Sequence, residues 1–208
     1  QSGNAVYWAS AGRSDQTRQR ADEHGLQDGQ ILKAASFVDG GIIGGPAWEP
    51  GKTVLHLSGS DAETAAAHFT DSPLVTNTLG PAPDKASALK MCYAAYTKGT
   101  TALLCAILAT AETLEVREAL FEQWSKGSSN LNEKAADQVR GVTNKAWRFT
   151  GEMHEISSTF ESAGVPGGFH AAAAEIYDRL ASFKDAPETP SLDSVLAALA
   201  QTTQSEPS

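Results

Sequence analysis

Cysteine is nearly missing from this chain: Cys92 and Cys105 are the two in 208 residues. Both fall in a stretch patterned as helix, where thirteen positions correspond to roughly 20 Å, beyond disulfide reach. That excludes a disulfide framework and points to a reducing compartment, the cytoplasm. Long apolar runs are missing too. The most apolar stretch, "TALLCAILATA" at 101–111, is too short to span a bilayer, and the N-terminus lacks a basic-then-apolar export pattern. Positive charge is in deficit, with 16 Lys+Arg against 25 Asp+Glu and a net charge of -9. Binding to a nucleic-acid backbone through counterion release is therefore not expected, although a helix N-terminus can still take a small anion. Familiar catalytic signatures are also wanting. His24, His56, His68, His154 and His170 show no metal-ligand spacing, so no metal site is expected. There is no GxSxG, and neither cysteine has an evident histidine partner.

Glycine, by contrast, is concentrated. "SFVDGGIIGGPAWEPG" at 36–51 holds five glycines and two prolines directly after a β-like run. Similar runs occur at "NAVYWAS" (4–10), "KTVLHLSG" (52–59) and "PLVTNTLG" (73–80). Between them lie a polar helix capped by Ser14 and running to Gly25, and a second helix opened by Ser60 or Asp61. Residues 1–82 thus read as mixed α/β. After Pro81 and Pro83 the texture changes. From Asp84, a candidate N-cap, to about Val116 there is no proline. Leu89, Tyr93, Tyr96, Leu103, Ile107, Ala111 and Leu114 recur there at helical spacing, which predicts a helix close to 50 Å long. Further helices are predicted at about 117–125, 131–163, 167–184 and 191–201, so residues 83–208 form an all-helical domain.

Three places can carry chemistry. Asp39, Gly40, Gly41, Gly44 and Gly45 are either a wide turn needing positive φ angles or a loop whose backbone approaches a ligand at a strand end. Lys90 stands about two turns into the long helix with small neighbours Ala86, Ala94 and Thr97. It is either a solvated surface lysine or a proton donor to a carbonyl undergoing reduction. Arg13 and Ser14 directly follow a strand, the place where a dinucleotide fold meets the adenosine ribose and an Arg accommodates a 2′-phosphate. Arg148 and Glu152, at i and i+4, read as a helix-surface pair.

In order, these blocks resemble the β-hydroxyacid dehydrogenase superfamily, which includes 3-hydroxyisobutyrate and 6-phosphogluconate dehydrogenases. The nearest branch has a helical C-terminal domain of the phosphogluconate dehydrogenase type. "DGGIIGG" (Asp39–Gly45) fills the slot of that family's D-A-P-V-S-G-G substrate loop. "GPAPDKASALKMCY" loosely matches its G-x-x-G-x-G-x-x-x-K-x-x-N stretch and sets Lys90 at the catalytic lysine. "KAWRFTGEMHEI" also looks like that branch. Ile43 replaces the loop's Ser, and Tyr93 replaces the Asn.

The resemblance implies a Rossmann-like α/β domain followed by an all-α domain, joined by a long interdomain helix. It also implies an oxidoreductase moving hydride between NADP, or NAD, and a small hydroxy acid or related carbonyl or imine. Lys90 would be catalytic, Asp39, Gly40, Gly41, Gly44, Gly45 and Tyr93 would bind substrate, and Arg13 and Ser14 would bind cofactor. A homodimer through the helical domain is implied as well. The family's first strand with G-x-G-x-x-G, and several βα units after it, have no counterpart before the glycine-rich stretch. The Rossmann-like part is therefore expected to be incomplete as written, with segments missing before Gln1 and near Gln30 and Ile31. The alternative is a shortened helical dimerisation or ligand-binding module without a nucleotide site.

Overall fold

A computed structural model describes residues 7–10, 37–127 and 130–201. Its sheet has four strands in the order β1 (Tyr7–Ser10), β2 (Phe37–Ile43), β3 (Val54–Ser58) and β4 (Val75–Thr78). β1 and β2 run parallel, with Tyr7 opposite Phe37 and Ser10 opposite Gly40. β2 and β3 form an antiparallel hairpin with Asp39 opposite Ser58 and Ile43 opposite Val54, while β3 and β4 are again parallel. Parallel neighbours need a crossover, and α1 (Ala62–Ala67) supplies the one between β3 and β4. Leu55 and Leu57 alternate along β3 with half-buried Val54 and His56, so one sheet face is apolar. Val38 joins them, and Ala62 and Ala65 close the cluster, flanked by Phe69 and Leu74. Complete burial of one such leucine is worth about 2 kcal/mol.

The glycine-rich stretch departs from its expected form. Strand geometry was expected over "ASFVDGG" (35–41), yet β2 continues through Ile43, because the hairpin partner β3 takes up the backbone of Asp39–Ile43. The turn begins at Gly44, whose φ of +130° is open to glycine, and a Cβ there would lie 2.8 Å from the Lys52 carbonyl oxygen. Thr53 donates its hydroxyl to the Gly45 carbonyl at 2.6 Å and closes that turn.

The chain divides into two compact units, Gln1–Tyr93 and Ala94–Ser208, and the division falls inside α2 (Lys85–Thr113), a 29-residue helix. At 1.5 Å per residue α2 is about 43 Å long. The second unit continues with α3 (Arg117–Gly127), α4 (Leu131–Gly141), α5 (Thr143–Ser162), α6 (Gly168–Arg179), a 3-10 turn (Ala181–Phe183) and α7 (Leu192–Ala200). Val139, Met153, Ile156, Tyr177, Leu180, Val195, Leu196 and Leu199 are buried in it.

Two expectations are corrected in this unit. The helix read as continuous over 131–163 breaks at Val142: Gly141 weakens the ladder, and the Thr143 hydroxyl takes the Arg140 carbonyl at 2.8 Å. Glu152 is paired with Lys98 rather than Arg148, and the Lys98 ammonium also lies 4.6 Å from the centre of the Phe149 ring. Partly buried positions make the Lys98 pair less screened by solvent than one with a solvent-facing i,i+4 cation. The helix predicted from Ser14 to Gly25 lies outside the described residues.

Candidate active site

β2 and the first turns of α2 bring the predicted residues together. Asp39 and Ser58 are register partners, so both side chains leave the same face of the hairpin. Gly41, two residues beyond Asp39, shares that face. α2 rests on it. A Cβ on Gly41 would stand 2.7 Å from the Ala86 carbonyl oxygen and 3.4 Å from Lys90 Cβ, so the missing side chain is what lets the helix come down beside the strand. Lys90 is therefore rooted against Gly41 and half-buried. Tyr93, three residues on, is 52% exposed. Gly40 pairs with Leu57 in the sheet interior, whereas Gly44 and Gly45 form the exposed turn after β2. The glycines thus divide between packing against α2, sheet pairing and turn formation.

Asp39 is 3% exposed and faces the start of α2. Its Oδ2 accepts the Ser87 amide at 2.9 Å and the Ser58 hydroxyl at 3.1 Å, and its Oδ1 accepts the Ser87 hydroxyl. Ser58 Oγ in turn accepts the Ala86 amide at 3.1 Å. Two first-turn amides of α2, those of Ala86 and Ser87, are thus satisfied from two strands. Asp84, predicted as the N-cap, directly precedes the helix and offers its carbonyl to the Ala88 amide at 3.0 Å as an N-cap does, from a left-handed φ of +65°. Ser58 and Ser87 were missed by sequence reasoning. Their one signal was a hydroxyl at a strand end and another one turn before Lys90.

Arg13 and Ser14 lie outside the described residues. β1 ends at Ser10 opposite Gly40, so a parallel strand end lies beside the glycine-rich backbone, the position at which open α/β sheets take their ligands. No diphosphate-binding loop is seen among the described residues. No group of three or more His, Cys, Asp or Glu among the described residues is placed to hold a metal ion. No helix among them is long and apolar enough to cross a membrane. Burial lowers the pKa of His56, whose ring contacts the Asn77 amide. In the second unit burial pushes the Cys105 thiol up to about 12, which leaves it unreactive.

Comparison with known proteins bears on this geometry. Residues 111–180 match the model of a domain of unknown function, DUF1932. No curated protein matches the sequence. Among solved structures, a conserved hypothetical protein from Sinorhizobium meliloti 1021 is 26% identical with a TM-score of 0.66; the alignment covers 86% of this chain and 62% of that one. The chain thus spans less than two thirds of that relative. The conserved protein MTH1747, described as structurally similar to 3-hydroxyacid dehydrogenases, is 24% identical with a TM-score of 0.59, covering 85% of this chain and 74% of its own. A 3-hydroxyisobutyrate dehydrogenase from Salmonella typhimurium is 14% identical with a TM-score of 0.50, covering 92% of this chain and 78% of its own. A small N-terminal sheet followed by a long helix and a helical bundle is common ground with these structures. Residues 111–180 thus match the DUF1932 model, in a chain whose fold is similar to that of the 3-hydroxyacid dehydrogenase-like structures.

Proposed function

We propose that the chain is part of an NADP-dependent oxidoreductase acting on a small hydroxy acid or a related carbonyl or imine, with Lys90 as its proton donor and acceptor. The observation that carries this reading is the seat of Lys90, a half-buried ammonium side chain rooted against the bare backbone of Gly41. When bound, the nicotinamide supplies or accepts the hydride. The chain does the rest. In the reducing direction Lys90 Nζ gives its proton to the substrate oxygen or nitrogen as negative charge develops there; in the oxidising direction it takes that proton back. The Gly40–Gly45 backbone lines the substrate side, with the exposed Gly44 and Gly45 turn at its rim, and the Tyr93 hydroxyl orients the substrate in place of an amide. Arg13 and Ser14, following β1, hold the adenosine end of the cofactor, with Arg13 on the 2′-phosphate. The helical domain, residues 83–208, pairs with a second copy, supported by exposed Leu89, Tyr93, Tyr96 and Leu103 along α2. Free Cys92 and Cys105 suit a cytoplasmic setting.

Lys90→Ala is expected to lower turnover about 1,000-fold, in line with general acid–base catalysis, and to leave NADPH affinity nearly unchanged. Substrate screening by NADPH oxidation, on protein of verified mass, provides the assay; full activity in the variant removes Lys90 from the mechanism. The competing reading, a non-catalytic helical module, is favoured by the lack of any G-x-G-x-x-G in the sequence. Fluorescence titration with NADPH separates the two, since the module shows no saturable binding.

A further inference from the structure

Asp39 occupies the substrate-loop slot of the sequence, yet its carboxylate is spent on the helix. Both oxygens are engaged, by the Ser87 amide and hydroxyl and by the Ser58 hydroxyl, and the group is 3% exposed. Ser58, fully buried, passes the grip on to the Ala86 amide. A negative group at a helix N-terminus is favoured by the helix dipole as well as by these bonds. The hairpin ladder fixes Asp39 and Ser58 side by side, so the pair is a rigid fixture of the sheet. Two residues further along the same face, Gly41 yields to the Ala86 carbonyl and Lys90 Cβ. The helix is thus held at one point and let in at the next. Lys90 lies three residues after Ser87 and four after Ala86, one turn ahead on the same side. A lysine stem is long and flexible, so locating its root is the main way a fold can localise the ammonium.

We propose that Asp39, with Ser58 and Ser87, is a positioning residue that sets the first turn of α2 on the sheet and so places Lys90, and that its carboxylate does not contact substrate. The inference rests on the reading of Lys90 as the proton donor, but part of its test does not. The reactivity of the Lys90 amine can be followed by trace acetylation with acetic anhydride, read on the Lys90 peptide by mass spectrometry, alongside hydrogen exchange at the Ala86 and Ser87 amides.

Asp39→Ala should speed exchange at both amides and alter the Lys90 acetylation rate by about threefold or more, since the amine's surroundings change. It should lower kcat by about 100-fold with KM little changed, as misplacement of a reacting group does. Asp39→Asn is the decisive variant. An asparagine oxygen can accept from the Ser87 amide and the Ser58 hydroxyl while its amide donates to a reversed Ser87 hydroxyl, so the seat survives. It should keep both the acetylation rate and kcat within about threefold of wild type. If Asp39→Ala does not fold, Ser87→Ala removes only the hydroxyl half of the grip and should shift acetylation in the same direction.

Unchanged Lys90 acetylation in both Asp39→Ala and Ser87→Ala overturns the proposal. So does an Asp39→Asn protein that is inactive while its Lys90 reacts as in wild type, which would put the carboxylate on the substrate. If Lys90→Ala retains turnover, the catalytic reading fails, while acetylation and exchange still decide whether Asp39 places the lysine.

Discussion

His170 shows at the scale of one residue how burial turns into pH dependence. The ring is buried between Phe160 and Phe169, at centroid distances of 4.5 and 5.1 Å, and among the described residues its Nδ1 has no hydrogen-bond partner. Burial lowers its pKa from the ordinary 6.5, and a hydrogen bond to the Ala95 backbone only partly opposes this. The folded protein therefore favours neutral imidazole. Above the ordinary value neither state binds the proton and stability is unaffected. As pH falls below 6.5 the unfolded chain takes up a proton that the folded chain refuses, and stability drops until the lowered folded value is passed. Urea unfolding at stepped pH should show this decline. His170→Phe should flatten it, and an equal slope in the variant would show that His170 does not contribute. None of this was legible in the sequence, where His170 was one histidine of five without ligand spacing. Asp39 and Lys90 were legible as a pair by the order of their motifs, but what Asp39 does was not. A carboxylate beside glycines reads equally as a ligand or a cap, and its partners Ser58 and Ser87 are 19 and 48 residues away.

Elements were more readable than contacts. Alternation along β3, the proline-free run of α2 and the "AGVPGG" stop after α5 put strands and helices close to where they are found, because period and punctuation are local properties. One miss was non-local and one local: β2 outran its expected end because β3 pairs with it, and the break at Val142 comes from Gly141 and the Thr143 hydroxyl beside it. α7 illustrates a local rule that held. Ser191, extended at φ -66° and ψ 155°, accepts the Ser194 amide at 3.2 Å as an N-cap. The helix is also tied by Arg117 to Asp193 at 2.6 Å and by Arg179 to the Leu199 carbonyl at 2.7 Å. Ser191→Ala should cost about 1 kcal/mol in equilibrium unfolding. A loss no larger than experimental error would mean that the Arg117–Asp193 tie alone holds the helix start.

For the whole molecule, the exposed stripe of α2 gives the clearest prediction. Tyr96 is 73% exposed, and Leu89, Tyr93 and Leu103 share its helical spacing. If the proposed dimer forms through this helix, Tyr96→Lys should raise its dissociation constant at least about tenfold by sedimentation velocity. A dimer equally tight in the variant would move the interface elsewhere. The cap of α2 has a separate consequence for how the molecule is made. Its bonds close loops of 28 and 48 residues, so the entropy of joining distant chain segments must be met before the helix start is complete. A helix can nucleate further along α2 without help, but its first turn waits for the β2–β3 hairpin. A fragment beginning at Asp84 would therefore carry the lysine without carrying its address: the turn bearing Lys90 would fray, and the amine would behave as any lysine in solution.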